Sequence, residues 1–294
     1  MFGEVLYWFA SEETSNTWIS VSQTALKLDA LHFTETATLK VLPFEWNVGF
    51  RVGIAYQPPL DGWSLLADYT RFTTQGSASV SPSTHFTISS QFFCANANGD
   101  VYKGASTQCS LTYDMLDLEL GRQWGISPSL FLQPFIGLRG GWIDHTYHLT
   151  GTTASSIAAK ERVTNDFWGV GPAGGLNTQW IFGRLGKSCF SLLSNFAGAF
   201  LWGHWTFKDT YRSSIAQQVE LDVPNSSLGA LAFRSLLGIG WSSPIQGDRF
   251  RIAMQAGYEM EFWLNHLRVP TFFDDRLHHD FTLQGGNFDV SMDF

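Results

Sequence analysis

Charge is scarce in this chain. Asp, Glu, Lys and Arg make up only 15% of its 294 residues, against about 25% in an ordinary water-soluble domain. That is too little to coat a conventional surface. The net charge of −8 and the lack of any Lys or Arg run exclude a phosphate-gripping face, and with it nucleic acid as a partner. Cysteine is also sparse: Cys94, Cys109 and Cys189 show no C-x-x-C spacing, which excludes a disulfide scaffold and a cysteine-ligated metal. Long apolar runs are nearly missing. Ser188 to Phe207 is uncharged, but Asn195, His204 and several Ser and Gly make it a poor spanning helix. At the start, "MFGEVLYWFASEE" has no basic n-region, so a secretory leader is expected to lie outside these residues, or the chain is not exported.

Aromatics and glycine are plentiful instead. Trp, Phe and Tyr supply 15% of the chain, with 12 Trp, 25 Phe and 28 Gly, yet the mean hydropathy is only −0.03. Apolar side chains must therefore be interleaved with polar ones. One glycine cluster, Gly169-Val170-Gly171-Pro172-Ala173-Gly174, matches GxGxxG. A dinucleotide site also needs a strand before it, a helix on it and an acid roughly 20 residues later. Pro172 and the uncharged surroundings of Ser194 and Asn195 supply none of that context, so the glycines need another cause.

Period two supplies it. From Phe250 to Leu264, Phe250, Ile252, Met254, Ala256, Tyr258, Met260, Phe262 and Leu264 alternate with Arg251, Ala253, Gln255, Gly257, Glu259, Glu261 and Trp263. A strand sends these sets to opposite faces, whereas a helix would scatter Arg and Glu around its whole circumference. The same rhythm runs through Trp46–Tyr56, Leu116–Gly121, Ile136–Trp142, Ala230–Trp241 and Asn287–Phe294. In "FWGVGPAGGLNTQW" it puts Trp168, Val170, Pro172, Leu176 and Trp180 outside and Gly169, Gly171, Ala173, Gly175 and Asn177 inside, where small residues leave room and let a strand bend.

A sandwich and a lipid-facing barrel both fit such alternation. Strand length decides between them, because soluble strands typically run about 5–6 residues and a tilted spanning strand needs about 9–11. The longest alternations here reach eleven to fifteen residues. Short links, "QPPLDG", "GISPS", "FGRLGK" and "SPIQGD", alternate with long polar ones near Thr74–Ser110, Gly151–Arg162, Lys208–Ser226 and His266–His278. The expectation is one all-β domain over residues 1–294, a transmembrane antiparallel up-and-down barrel of about ten strands. Twelve is the alternative, if Trp18–Leu42 adds two strands to the wall. Periplasmic turns would be short and extracellular loops long. An aromatic girdle would include Trp46, Tyr56, Trp142, Trp168, Trp180, Trp241 and Phe294.

The stretches "VLYWFASEE", "FEWNVGFRVGIAYQPPLDGWSLLADYTRF", "LDLELGRQWGISPSLFLQPFIGLRGGWID", "NDFWGVGPAGGLNTQW" and "DFTLQGGNFDVSMDF" span the chain from Val5 to its end. On these residues it resembles the Legionella-type major outer membrane protein family of pore-forming barrels, found also in chlamydia-related bacteria. The resemblance implies an outer-membrane location and passive diffusion of ions and small hydrophilic solutes. The implied partners are outer-membrane lipid and lipopolysaccharide, the barrel assembly machinery and those solutes, with self-association compatible. It brings no catalytic motif and no cofactor.

Inward candidates for lining a pore are Arg51, Asp68, Asp117, Glu119, Arg139, Arg234, Arg251, Glu259, Glu261, Asp289 and Asp293. Rings of such charges set ion preference in an open pore. The competing expectation is a salt-bridged plug, since narrow barrels are filled by their own side chains, leaving an adhesin or receptor that works through its loops. An enzyme is not expected: no GxSxG elbow is present, and His145, His148, His278 and His279 fall at expected loop ends, where solvated histidine rather than a metal ligand is the norm. Cys94 and Cys109 flank the polar stretch "ANANGDVYKGASTQ". A disulfide closing it would contribute about 3 kcal/mol; two free thiols are the alternative.

Overall fold

A computed structural model describes residues 1–12, 17–26, 33–58, 62–81, 87–245, 250–268 and 278–293. Fourteen strands and one short helix follow in chain order: β1 (Phe2–Glu12), β2 (Thr17–Leu26), β3 (Phe33–Val41), β4 (Asn47–Tyr56), β5 (Trp63–Val80), β6 (Thr87–Ser90), α1 (Phe93–Ala97), β7 (Val101–Arg122), β8 (Trp124–Ser127), β9 (Leu130–Thr153), β10 (Ala158–Leu185), β11 (Ser188–Ser213), β12 (Gln218–Ile245), β13 (Phe250–Arg268) and β14 (His278–Asp293). Ten of them, β1-β4-β5-β7-β9-β10-β11-β12-β13-β14, form an antiparallel ring that the β1–β14 ladder closes, Phe2 facing Ser291 and Glu12 facing Phe281. Closure leaves no unpaired edge, which a bilayer requires. The wall thus has ten strands. The Trp18–Leu42 region does form β2 and β3, but they pair with each other and with β6 outside the ring, so the twelve-strand alternative is not adopted. The uncharged Ser188–Phe207 stretch is part of β11, and no helix among the described residues is long and apolar enough to cross a membrane.

Alternation predicts which face each side chain takes in the lower half of the barrel, toward the short turns. Trp142, Trp168, Val170, Trp180, Phe196, Phe200 and Trp202 are exposed on the outside, and Trp168 and Trp142 face each other across β10 and β9. From Trp168 to Trp180 the strand runs about 40 Å at ~3.3 Å per residue. At the ~45° tilt of spanning strands that is about 28 Å along the bilayer normal, close to the ~30 Å hydrocarbon core. The inner glycines allow the wall to coil tightly: a Cβ on Gly171 would fall 1.9 Å from the Phe200 carbonyl oxygen, and one on Gly203 would fall 2.1 Å from the Phe167 ring.

Above the Trp142–Trp168–Trp202 row the pattern inverts. On β10 the outward residues become Lys160, Arg162 and Thr164 while Val163 and Phe167 turn inward and are buried. On β9 His148 and Thr150 face out while Ile143, Tyr147 and Leu149 are buried, and on β11 Lys208 and Arg212 face out while Trp205, Phe207 and Tyr211 are buried. A polar exterior with an apolar interior belongs in water, so this part is a turret standing outside the membrane. Here the structure corrects the expectation of long loops. The Gly151–Arg162 and Lys208–Ser226 segments are mainly strand, joined by tight turns over 154–157 and 214–217. Ser156 and Ala216 sit at φ 63° and 64° in these turns. Each turn repeats one hydrogen-bond pattern, with Thr153 N–H donating to the Ile157 carbonyl and Ser213 N–H to that of Gln217, both at 2.9 Å. Likewise "ANANGDVYKGASTQ" is the end of α1 followed by β7.

Candidate functional site inside the barrel

Seven strands of the lower barrel aim ionic side chains at one level of the lumen. Arg51 of β4 donates from Nη1 to Glu4 Oε2 at 2.8 Å and from Nη2 to Glu259 Oε1 at 2.9 Å, while its Nε reaches Thr70 Oγ1 at 2.8 Å and lies 3.8 Å from Asp68 Oδ1. Arg234 of β12 bridges Glu119 Oε1 at 3.0 Å, Asp117 Oδ2 at 3.4 Å and Glu259 Oε1 at 4.0 Å. Arg139 of β9 stands 3.7 Å from Asp117 Oδ1, pairs with Glu261 and donates to Tyr113 Oη at 2.6 Å. Tyr113 in turn donates to Glu261, and Asn287 donates to Glu4. Side chains in this lattice are at most 9% exposed. Each ion gives up several kcal/mol of hydration on burial, so every guanidinium must meet more than one acceptor, and each does.

Aromatic rings roof this layer. The Arg51 guanidinium lies 5.8 Å from the Trp8 ring centroid and that of Arg139 lies 5.7 Å from Trp263. Trp8, Phe72, Tyr113, Trp263, Phe167 and Trp205 continue as a chain of contacts with centroid spacings from 4.5 to 6.3 Å. Above them, in the turret, β6 and α1 enter the mouth. Cys94 N–H donates to Asp209 Oδ2 at 2.9 Å, Ala95 N–H to Glu161 Oε1 at 2.7 Å and Ser90 Oγ to Glu161 Oε2 at 3.1 Å. Burial pushes the Asp209 carboxyl up to about 6 against the lowering effect of the Cys94 N–H. Burial, then the neighbouring Asp209 charge, raises Glu161. Below the ionic layer a cavity of about 320 Å³ is lined by Gln133, Asn177, Gln179, Asn195 and Gln255 together with Phe131, Leu193 and Leu236. From the short-turn end upward the lumen therefore runs amide, ionic, aromatic, plug.

Most residues expected to line a pore meet in the lattice: Arg51, Asp68, Asp117, Glu119, Arg139, Arg234, Glu259 and Glu261. There they pair with one another across the lumen. Asp289 is buried opposite Glu4 across the β1–β14 ladder. Arg251 is exposed at the start of β13, away from the lattice, and faces Asp293, whose side chain lies outside the described residues. Of the girdle, Trp46, Tyr56, Trp142, Trp168 and Trp180 are exposed on the outside and Trp241 is half-buried; Phe294 lies outside the described residues. Alternation alone missed Glu4, Glu12, Trp8 and Tyr113, although each falls on the inward parity of its strand.

His145 and His148 part company. His145 is fully buried with Nε2 3.1 Å from Glu12 Oε1, and His148 is on the outer wall. His278 and His279 open β14, with side chains outside the described residues. No group of three or more His, Cys, Asp and Glu with metal-holding geometry occurs among the described residues. Cys94 and Cys109 are free and buried, so the disulfide is not formed. The reason is topological: Cys94 points at Asp209 on β11, its Sγ 3.5 Å from that residue's carbonyl oxygen, while Cys109 turns inward from β7.

A family profile described as Legionella pneumophila major outer membrane protein precursor matches residues 2–294. Comparison with curated proteins gives no match. Among solved structures the chain is similar to a CymD monoaromatic hydrocarbon channel, at 8% identity and a TM-score of 0.27, over 100% of this chain and 88% of that one. It is similar also to a Pseudomonas aeruginosa FadL homologue, at 8% identity and a TM-score of 0.21, over 99% and 89% of the two chains. At that level the likeness extends to neither cargo nor mechanism.

Proposed function

The chain belongs to the Legionella major outer membrane protein family, and from that premise we propose that it is an outer-membrane channel for ions and small hydrophilic solutes, held shut by its arginine–carboxylate lattice. One observation carries the reading: the interior of the membrane zone holds amide and ionic side chains at successive levels, from the lower cavity up to the lattice. Buried polar groups are costly unless paired or hydrated, and a wall needed only for support could have filled its lumen with apolar side chains. Where the guanidiniums part from their acceptors, water enters and a polar conduit forms. Arg51, Arg139 and Arg234 face Glu4, Asp68, Asp117, Glu119, Glu259 and Glu261. That acid excess favours cations.

The test is single-channel recording of detergent-refolded barrel in planar bilayers, native beside Arg234→Gln. Rare openings in the native barrel and frequent cation-preferring ones in the variant are expected. A variant as silent as a lipid blank, although heat-modifiable gel mobility shows it folded, would defeat the proposal.

A second reading rests on the turret. Paired strands β9 to β12 project beyond the outer Trp row with a packed interior, a stiff platform suited to a surface adhesin or receptor. Trimming the β9–β10 and β11–β12 hairpins would abolish host-surface or ligand attachment and spare conductance under this reading.

A further inference from the structure

The outer wall of the turret carries a charge pattern that folding does not explain. Lys160 and Arg212 stand directly opposite each other on β10 and β11, and Arg162 stands opposite His148 on β9. Like charges directly opposite on one face of a sheet destabilise it. Lys208 ion-pairs with Glu220 at 2.5 Å and stands opposite Asp222, Glu220 also lies within reach of the Arg212 charge and Asp166 within reach of that of Arg162, but Lys160 faces only Arg212 and Thr150 across its two ladders. In a chain of net charge −8, this concentration of base suits an added anion. Lys160, Arg162, Lys208 and Arg212, with His148 beside them, rim an open hollow of about 540 Å³.

A second hollow lies below, sharing β9 and β10 with the first and running on across β7, β5, β4 and the start of β1. It measures about 800 Å³, and Tyr69, Leu116, Leu138, Trp142, Trp168 and Val170 line it on the lipid-facing wall. From Trp168 to Arg162, and from Trp202 to Lys208, the strands rise about 20 Å, or about 14 Å along the normal at ~45° tilt. Phospholipid headgroups add only about 5–8 Å per leaflet. The basic hollow therefore stands above the phospholipid phosphates, in the layer that a lipid with a larger, sugar-built headgroup reaches.

We infer that β9, β10 and β11 hold one phosphorylated glycolipid of the outer leaflet, an acyl chain in the Trp142–Trp168 groove and sugar phosphates on His148, Lys160, Arg162, Lys208 and Arg212. Arginine forks and a lysine point charge are the groups suited to phosphate oxygens. The site needs no open lumen, so it stands whether or not the barrel conducts.

The experiment compares native barrel with the Lys160→Gln/Arg162→Gln/Arg212→Gln variant in phosphatidylcholine nanodiscs. Each is loaded with lipopolysaccharide or enzymatically dephosphorylated lipopolysaccharide, detergent-washed, and its retained lipid counted. The native barrel should keep the phosphorylated lipid about tenfold better than the dephosphorylated one, and the variant should lose that preference. Gel heat-modifiability checks folding, and a Lys160→Arg/Arg212→Lys exchange, which keeps the charges, should retain the lipid. Equal retention by native and triple-Gln barrels would overturn the inference, as would full displacement by millimolar inorganic phosphate, which would mark a free-anion site.

Discussion

Replacing Arg234 with methionine tests whether the lattice is an interlocked unit or a set of independent pairs. Its guanidinium is within 4.0 Å of Glu119, Asp117 and Glu259. Two of these acids keep another cation when it goes: Asp117 has Arg139 at 3.7 Å and Glu259 has Arg51 at 2.9 Å. Glu119, 8% exposed, has Arg234 at 3.0 Å as its partner in the lattice. The loss therefore falls on one stranded carboxylate, and breaking a buried pair from one side costs about 3–5 kcal/mol. Access to the amide-lined cavity below lets water reach it, so the low end, about 3 kcal/mol, is expected. Adding Glu119→Gln to Arg234→Met removes the stranded charge and should recover more than half of that loss. Urea unfolding of native, single and double variants in lipid vesicles, followed by tryptophan fluorescence, yields the coupling energy. A value below about 0.5 kcal/mol, the scatter of independent sites, would show that the lattice does not couple these residues and would refute the reasoning.

Brominated lipids should quench the exposed Trp46, Trp142, Trp168, Trp180 and Trp202 and leave the buried Trp8, Trp205 and Trp263 untouched; replacing these five by Phe should remove most of the quenching, and no change would place them off the lipid face. The plug should respond to pH with a definite sign. Asp209, pushed up to about 6 against ~3.9 when unfolded, binds more protons in the docked state, so docking is favoured on the acid side and weakens as pH rises through about 6. Protection factors at Cys94 and Ala95, which remove the base catalysis of exchange itself, should accordingly fall between pH 5 and 7, and unchanged protection would exclude the coupling. Gly171→Val should destabilise the barrel by at least about 1–3 kcal/mol, because its Cβ would strike the Phe200 carbonyl oxygen at 1.9 Å; urea midpoints within error of native would contradict that packing. Thiol titration of unreduced, unfolded chain should count all of Cys94, Cys109 and Cys189 as free, and a lower count would mean a disulfide.

Much of this barrel was legible because one physical rule, alternate faces of a strand, applied without interruption in the membrane. Phe250 to Leu264 declares its lipid face residue by residue, and Glu259 and Glu261 come out buried inside as that rule requires. The turret was misread for the same reason. At Phe167–Trp168 on β10 the apolar set changes parity, from outward to inward, because the solvent outside changes from acyl chain to water. A break in phase on one strand looks like the start of a loop. Trp8 and Tyr113 were hidden differently: aromatic residues in a lipid-facing chain suit a girdle, and only the arginines and rings they meet inside explain an inward place.

Composition and alternation in the linear chain determined that it is a β-barrel, which face of each membrane strand meets lipid, and that charges point inward. Which charges pair was decided only by the closed ring. Arg51 finds Glu259 208 residues away because β1 and β14 lie between β4 and β13 in the wall, and no local pattern encodes that adjacency. The lattice follows from the same fact, since a guanidinium reaches several carboxylates only when distant strands, set in register by their ladders, bring them to one height.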